Sequence, residues 1–259
     1  MNSPRILITN DDGIYSAGIF ALWRAMKEIG NPIVVAPDKE RSSVSHAITI
    51  TSPLRLKKIN RAEGFEGYAV SGTPADCVKL SIKSLYKKKP PDIIISGINR
   101  GGNMGENIIY SGTVSAAAEG ANFGIPSIAI SLASDKTDYF DLSKTSAKKI
   151  VRHVIKNGMP KGTLLNVNIP YCKQKEISGF KFTRQGNQYF KDKYIERVDP
   201  QNQKYYWIEG EVYDEDESIE QDGKAVSKNY ISISPIHFKV TNETYLAELK
   251  NKFTDEQFK

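Results

Sequence analysis

The sequence predicts an α/β fold built on a mainly parallel sheet. Short β-branched runs alternate with amphipathic stretches from the N-terminus to about residue 168, the pattern of strands joined by crossover helices. Some of these runs, DIIIS (92–96) among them, are apolar almost throughout and need cover on both faces, which parallel sheets provide. After Pro170 the texture changes to alternating segments around an acidic centre, so the core is expected to end near residue 169.

The elements follow in order. RILITN (5–10) reads as a buried strand, and AGIFALWRAMKEIG (17–30) as an amphipathic helix stopped by glycine. PIVVAP (32–37) is a second buried strand; HAITI (46–50) and LRLKKI (54–59) are strand-like with weaker patterns. GYAVSG (67–72) leads into TPADCVKLSIKSLY (73–86), a helix with Thr73 as cap and Pro74 in its first turn. PDIIISG (91–97), a helix from about Thr113, SIAISL (127–132), a helix over 139–157 and TLLNVNIP (163–170) complete a core of residues 1–169. Residues 170–259 read as an extension of that core, with paired antiparallel strands around a solvated acidic run and a terminal helix TNETYLAELKNKF (241–253). Neither an internal repeat nor a low-complexity linker interrupts the 259 residues.

Composition limits the function classes. An apolar fraction of 39% with 25% charged residues is that of an ordinary globular protein. No run reaches the ~18 apolar residues of a membrane span, and MNSPRILITN lacks a signal-peptide pattern. With only two cysteines, Cys77 and Cys172, in no ligand spacing, a cytoplasmic protein is expected. The net charge of +6 favours anions weakly. Its densest run, KSLYKKKP (83–90), falls where a helix should end, so solvated cations complementing the helix dipole are expected there. Nucleic acid is not expected as a partner.

Ligands of open α/β sheets bind beyond the carboxyl ends of the strands. Four segments leave those ends: Asn10-Asp11-Asp12-Gly13, APDKERSSVSH (36–46), Ser71-Gly72-Thr73-Pro74 and GINRGGNMGENIIYSGT (97–113). Two adjacent carboxylates at a strand end repel each other and lose hydration. A hard divalent cation relieves both problems, and the amide oxygens of Asn10 and Asn99 would suit the same ion. The plainer alternative is a helix cap beside a solvated turn carboxylate. Ser111-Gly112-Thr113, opening a helix of small residues, offers backbone N–H groups to an anion such as phosphate, or is a helix cap alone. A metal facing an N–H cradle describes metal-assisted phosphoryl transfer to water.

Other chemistries lack their signatures. The chain has no G-x-x-x-x-G-K-[ST] and no G-x-G-x-x-G after the first strand, which excludes a P-loop and a dinucleotide site. It has no G-x-S-x-G elbow, and DIIISG supplies no receiver-type aspartate. His46, His153 and His237 share no zinc spacing; His46 alone falls on a candidate site loop.

ITNDDG, VVAPDKERSSVSHAIT, SGTPADCVKL, SGINRGGNMGENIIYSGTVSAAAEG and FTRQ, in this order and spacing, resemble the survival protein SurE family. The resemblance implies a metal-dependent phosphatase of nucleoside 5′- and 3′-monophosphates, in some members also of short polyphosphate. It implies one divalent ion, Mg²⁺ or Mn²⁺, per subunit, held by Asp11, Asp12, Ser42 and Asn99. Asp11, Asp12 and Asn99 would also serve catalysis, and Asn99 with Ser111, Gly112 and Thr113 would receive the substrate. Asp11 would orient the water, accept its proton or attack directly, three routes that the residues do not separate. Relatives carry His or Tyr at position 110, so Tyr110 is not assigned an acid role. The implied fold is a Rossmann-like core with a C-terminal hairpin and helix exchanged between subunits of a homodimer or homotetramer. Two rival readings stand beside this one: a polyphosphatase with incidental nucleotidase activity, and a non-catalytic nucleotide- or nucleic-acid-binding protein.

Overall fold

Parallel strands buried on both faces form the centre of the molecule, as the apolar runs require. The computed structural model describes residues 3–136 and 139–252. The strands are β1 (Arg5–Thr9), β2 (Asn31–Pro37), β3 (Leu56–Asn60), β4 (Glu66–Val70), β5 (Ile93–Arg100), β6 (Ser127–Leu132), β7 (Leu164–Ile169), β8 (Gly179–Phe182), β9 (Tyr189–Val198), β10 (Lys204–Tyr213) and β11 (Tyr230–Ile236). The helices are α1 (Ala17–Lys27), α2 (Pro74–Leu80), α3 (Gly112–Asn122), α4 (Asp141–Asn157), α5 (Asp222–Ser227) and α6 (Glu243–Lys252).

Nine strands form one sheet in the order β3-β4-β2-β1-β5-β6-β7-β11-β8. From β4 to β7 every neighbour is parallel. The edges differ: β3 is antiparallel to β4, and β11 is antiparallel to β7. Strand order reverses at β1, between β2 on one side and β5 on the other. That is the topological switch point where such sheets open a crevice, and Asn10-Asp11-Asp12 leave β1 there.

Local chemistry sets the helix starts. Ser16 caps α1 by accepting from the Ile19 N–H, and Thr73 with Asp76 forms a capping box at α2. The helix expected over 73–86 is α-helical only to Leu80 and continues as a π turn over Ser81–Leu85. Ser81 and Ser84 turn their hydroxyls back onto the Cys77 and Leu80 carbonyls, which competes with regular helix bonding there. The lysines at 87–89 beyond it are exposed, as expected.

Two expectations fail and a third holds in part. The strands on either side of the acidic run do not pair with each other, since β10 pairs with β9 and β11 with β7 and β8. HAITI (46–50) is not a strand. Its polar groups bond to the α2 cap instead, with the Thr49 N–H and hydroxyl on Asp76 and the Thr73 hydroxyl on the Ala47 carbonyl. The acidic run near 214–217 is not simply a solvated loop. Asp216 is buried and accepts from the Asn187 N–H and side-chain amide, both at 2.7 Å, and from the Gln221 amide.

Beyond β7, β8, α5 and β11 pack onto the sheet edge, whereas β9 and β10 pair with each other and with no other strand among the described residues. All ten residues of β10 are exposed, and α6 buries none of its side chains. The terminal helix is described to Lys252; Phe253, included in the expectation, lies outside the described residues. No helix among the described residues is long and apolar enough to cross a membrane.

Candidate active site

The end of β1 turns inward. Asn10 is fully buried and spends its amide nitrogen on the Gly13 carbonyl (3.1 Å) and the Ser16 hydroxyl (2.8 Å). Its Oδ1 is buried with no hydrogen-bond partner among the described residues. Asp11 is only 5% exposed. Its carboxylate accepts from the Thr113 N–H at 3.1 Å and from the Thr113 hydroxyl, so β1 and the start of α3 are tied together. This approach needs a glycine at 112, where a Cβ would stand 2.8 Å from the Asp11 Cβ and 3.0 Å from its Oδ2.

Asp12 accepts from the Arg100 N–H at the end of β5, while its Oδ2 is buried and has no partner among the described residues. Burial, and next the neighbouring Asp11, push the Asp12 carboxyl up to about 6. Burial pushes Asp11 up as well, against the pull of its Thr113 bonds. Glu40 raises both carboxyls further. The Arg100 charge pulls Asp12 back without offsetting its burial, so the pair can still take positive charge.

Asn99 completes the crevice from β5. Its amide nitrogen donates to the Gly101 carbonyl at 2.8 Å, a bond that does not use the side-chain oxygen. Ser42 sits on the loop after β2, next to Arg41, whose N–H donates to the Asp11 carbonyl (2.7 Å). Here the Ser42 side chain is exposed and its hydroxyl donates to Glu40 Oε1 at 2.6 Å. Ser45 pins the same loop to the segment before α3, donating its hydroxyl to the Ile109 carbonyl (2.8 Å) and its N–H to the Tyr110 carbonyl (3.0 Å).

These residues fit a hard cation on two observations: the buried, unpartnered oxygens of Asp12 and Asn10, and a donor set made only of oxygen. Among the described residues no group of three or more His, Cys, Asp and Glu could hold a metal. A cation here would therefore draw on amide and hydroxyl oxygens beside the two aspartates. At α3, Ser111 caps the helix by accepting from the Val114 N–H at 3.1 Å. Both Thr113 donors go to Asp11, so the helix end is shared between the aspartate and any anion placed before it.

Three neighbours escaped the sequence reading. Glu40 acts on both aspartates through space, Ser45 clamps the site loop, and Arg41 carries a buried, unpartnered Nε while its Nη2 reaches the Ser71 carbonyl at 3.2 Å. All three lie in the ERSSVS stretch, whose polarity is that of any loop. His46, from the same stretch, is engaged with Glu119 of α3 at 2.8 Å, and Glu119 also pairs with Lys79 of α2 at 2.8 Å. His153 bonds within its own helix and His237 within its own turn. A surface groove of about 670 Å³, lined by Phe182, Arg184, Ile236 and His237 among others, shares no residue with this cluster. Convergent donors, not room, single out the end of β1 as the candidate site.

The family model described as "Survival protein SurE" matches residues 6–192. The chain belongs to the SurE family. It is 45% identical over 252 residues to the 5′-nucleotidase SurE of Caldanaerobacter subterraneus subsp. tengcongensis, covering 97% of this chain and 98% of that protein. The corresponding protein of Thermosipho melanesiensis is 44% identical over 251 residues, with 97% and 98% covered. The crystal structure of the SurE protein from Aquifex aeolicus superposes with a TM-score of 0.83 at 42% identity, covering 96% of this chain and 99% of that one. The SurE resemblance and the α/β fold with its separate hairpin thus stand on sequence and on structure.

Proposed function

We propose that this protein is a phosphoric monoester hydrolase that converts nucleoside 5′-monophosphates, and 3′-monophosphates, to nucleoside and phosphate. The observation that carries the reading is the buried pair of unpartnered oxygens, Asp12 Oδ2 and Asn10 Oδ1, at the switch point beside a helix N-terminus. SurE nucleotidases depend in general on a metal. Asp11, Asp12, Ser42 and Asn99 would hold one Mg²⁺ or Mn²⁺ per subunit, with Asn10 in reach as a further oxygen. When bound, such an ion supplies positive charge to phosphoryl oxygens and lowers the pKa of water.

The protein's own groups do the rest. Thr113 holds the Asp11 carboxylate in one orientation, so it can align a water or take its proton. Burial raises the Asp11 carboxyl above its ordinary value, against the pull of its Thr113 bonds. Asn99 is fixed by the bond from its amide nitrogen to Gly101, and its side-chain oxygen would be the ligating group. Ser111, Gly112 and Thr113, at the N-terminal end of α3, would set the positive end of the helix dipole against the phosphate charge that develops.

We place the activity in the cytoplasm, supported by two unpaired cysteines, and in a homodimer or homotetramer formed through the 170–259 extension. The boundary at 169/170 is part of the same reading, and the exchanged segments would be the β9–β10 hairpin and α6, since β8, α5 and β11 pack onto the core sheet. The decisive experiment is phosphate release from 5′-AMP, 3′-AMP and tripolyphosphate by metal-stripped protein, with and without Mn²⁺ or Mg²⁺. Release from the nucleotides that depends on added metal is expected. Folded protein that releases phosphate from neither nucleotide would overturn the reading in favour of binding alone, and turnover confined to tripolyphosphate would favour a polyphosphatase.

A further inference from the structure

A carboxylate outside this cluster is built into the site more firmly than those within it. Asp222, the first residue of α5, is completely buried. Its Oδ1 accepts from the Gly186 N–H at 3.0 Å and its own neighbour's Gly223 N–H at 2.8 Å. The Gly105 N–H lies 3.2 Å from Oδ2 and 3.3 Å from Oδ1. One buried charge therefore joins three separate stretches of chain through backbone donors, the arrangement that makes a buried carboxylate affordable.

Gly105 matters because of where it stands. It lies on the connection from Asn99, at the end of β5, to Ser111, at the start of α3. That connection is held at two points. Upstream, Asn103 is fixed by the sheet: its N–H donates to Asn168 Oδ1 at 2.8 Å, and its carbonyl accepts from Asn166 (2.8 Å) and Asn168 (3.0 Å). Downstream, the anchor comes from the C-terminal part of the chain. Asp222 takes the Gly105 N–H, the Gln185 amide donates to the Gly105 carbonyl at 2.9 Å, and the Glu106 N–H donates to the Gln188 carbonyl at 2.8 Å. A Cβ at Gly105 would run into the Gln188 backbone, so the two segments are in close contact.

We propose that Asp222 is a positioning residue: by holding Gly105 it sets the stretch that leads into Ser111 and the start of α3, where Thr113 orients Asp11. The site is then completed by the segment that also bears the hairpin, since β9 begins directly after Gln188. The inference rests on the proposed nucleotidase reading. Asp222 touches no substrate and acts through the loop. Replacing one carboxylate oxygen by an NH₂ group turns an acceptor into a donor facing backbone N–H groups, so Asp222→Asn should let the loop shift. A displacement of ~1 Å at a reacting geometry can cost about 10²-fold.

The test compares wild type, Asp222→Asn and Gln185→Ala for kcat and KM on 5′-AMP and for the Mn²⁺ concentration giving half activity, with circular dichroism as the check on folding. In Asp222→Asn, kcat is expected to fall at least about tenfold and half-activating Mn²⁺ to rise, with KM changing less and the spectrum unchanged. Gln185→Ala should move both in the same direction by a smaller factor. A folded Asp222→Asn with wild-type kcat and metal dependence overturns the inference while leaving the nucleotidase reading intact. Should Asp222→Asn not fold, Gln185→Ala decides: lowered kcat supports positioning, and wild-type kinetics reject it. Wild-type protein that is itself inactive with every metal defeats the nucleotidase reading and this inference with it.

Discussion

Thr113 holds both carboxylate oxygens of Asp11, one through its backbone N–H at 3.1 Å and the other through its hydroxyl. The bond pair spans 102 residues and joins the end of β1 to the first turn of α3. It places a buried negative charge on the positive end of a helix dipole, which is what makes an anion at that depth tolerable. It also leaves Asp12 as the carboxylate with an uncommitted oxygen.

Gly112→Ala should break this relation. The added Cβ would sit 2.8 Å from the Asp11 Cβ, closer than side-chain carbons approach, so the helix start or the aspartate must move. We expect a stability loss of about 1–3 kcal/mol and a fall in kcat of about 10²-fold. Denaturant unfolding and phosphate release check the two halves; wild-type kcat in a folded variant would show that the contact is not needed for turnover.

Thr113→Val and Thr113→Ser separate the hydroxyl from the backbone. Valine keeps the shape but withdraws one donor from a buried carboxylate, at a cost of about 1–3 kcal/mol. Serine retains the donor. The expected order of kcat is wild type, then Ser, then Val, and equal activity of Val and Ser would show the hydroxyl to be idle.

How legible the molecule was depends on whether a feature is local. The parallel core could be read because apolar runs such as IIIS are continuous, and SIAISL matched its observed strand residue for residue. Asp11, Asp12 and Asn99 could be placed because strand ends of such sheets share one side. HAITI misled because its apolar alternation is real, while its backbone partners sit 27 residues away on Asp76. The acidic run near 214 looked solvated because its partners, Asn187 and Gln221, are uncharged and lie on neighbouring segments. The link of Asp222 to Gly105 spans 117 residues, with no periodicity to announce it.

The titration of Asp12 gives a pH dependence. Its folded-state pKa, raised from 3.8 to about 6, means that the native state holds a proton the unfolded chain has released between those values. The contribution is therefore favourable below about 4 and is lost as pH rises through about 6. Metal-free wild type should lose stability over this window relative to Asp12→Asn, which has no charge to bury. Urea midpoints of EDTA-treated proteins at pH 4.5 and pH 7 test it; parallel profiles would refute the burial argument. Asp12→Asn should also lose nearly all metal-dependent phosphate release.

Glu119 predicts the opposite slope. Burial raises its carboxyl, but the bonds from His46 and Lys79 outweigh that and hold it below the usual 4.5. Its contribution is present above 4.5 and lost as pH falls through the lowered folded value. Glu119→Gln should therefore melt a few degrees below wild type at pH 7, with the gap closing under acid conditions. Because His46 belongs to the loop bearing Ser42, the variant should also need more Mn²⁺ for half activity. A gap that stays constant from pH 7 to pH 3.5 would mean that the ion pairs contribute nothing.

The hairpin predicts the assembly. Trp207 and Ile208 are adjacent on β10 and so face opposite sides of the ribbon, yet both are more than half exposed. Tyr206, Val212 and, on β9, Tyr194 are likewise more than half exposed. A two-stranded ribbon apolar on both faces is not stable alone in water, and exposed apolar surface of this kind marks an interaction site. Covering it with a second copy of the chain suits the closed two-fold symmetry common among oligomers. We expect the wild-type protein to sediment as a dimer or tetramer, and a Trp207→Glu, Ile208→Glu double variant to shift toward the monomer. Because the arm springs from Gln188, which bonds to Glu106, the monomer should also lose turnover. Wild type sedimenting as a monomer at micromolar concentration would leave the hairpin to some other partner.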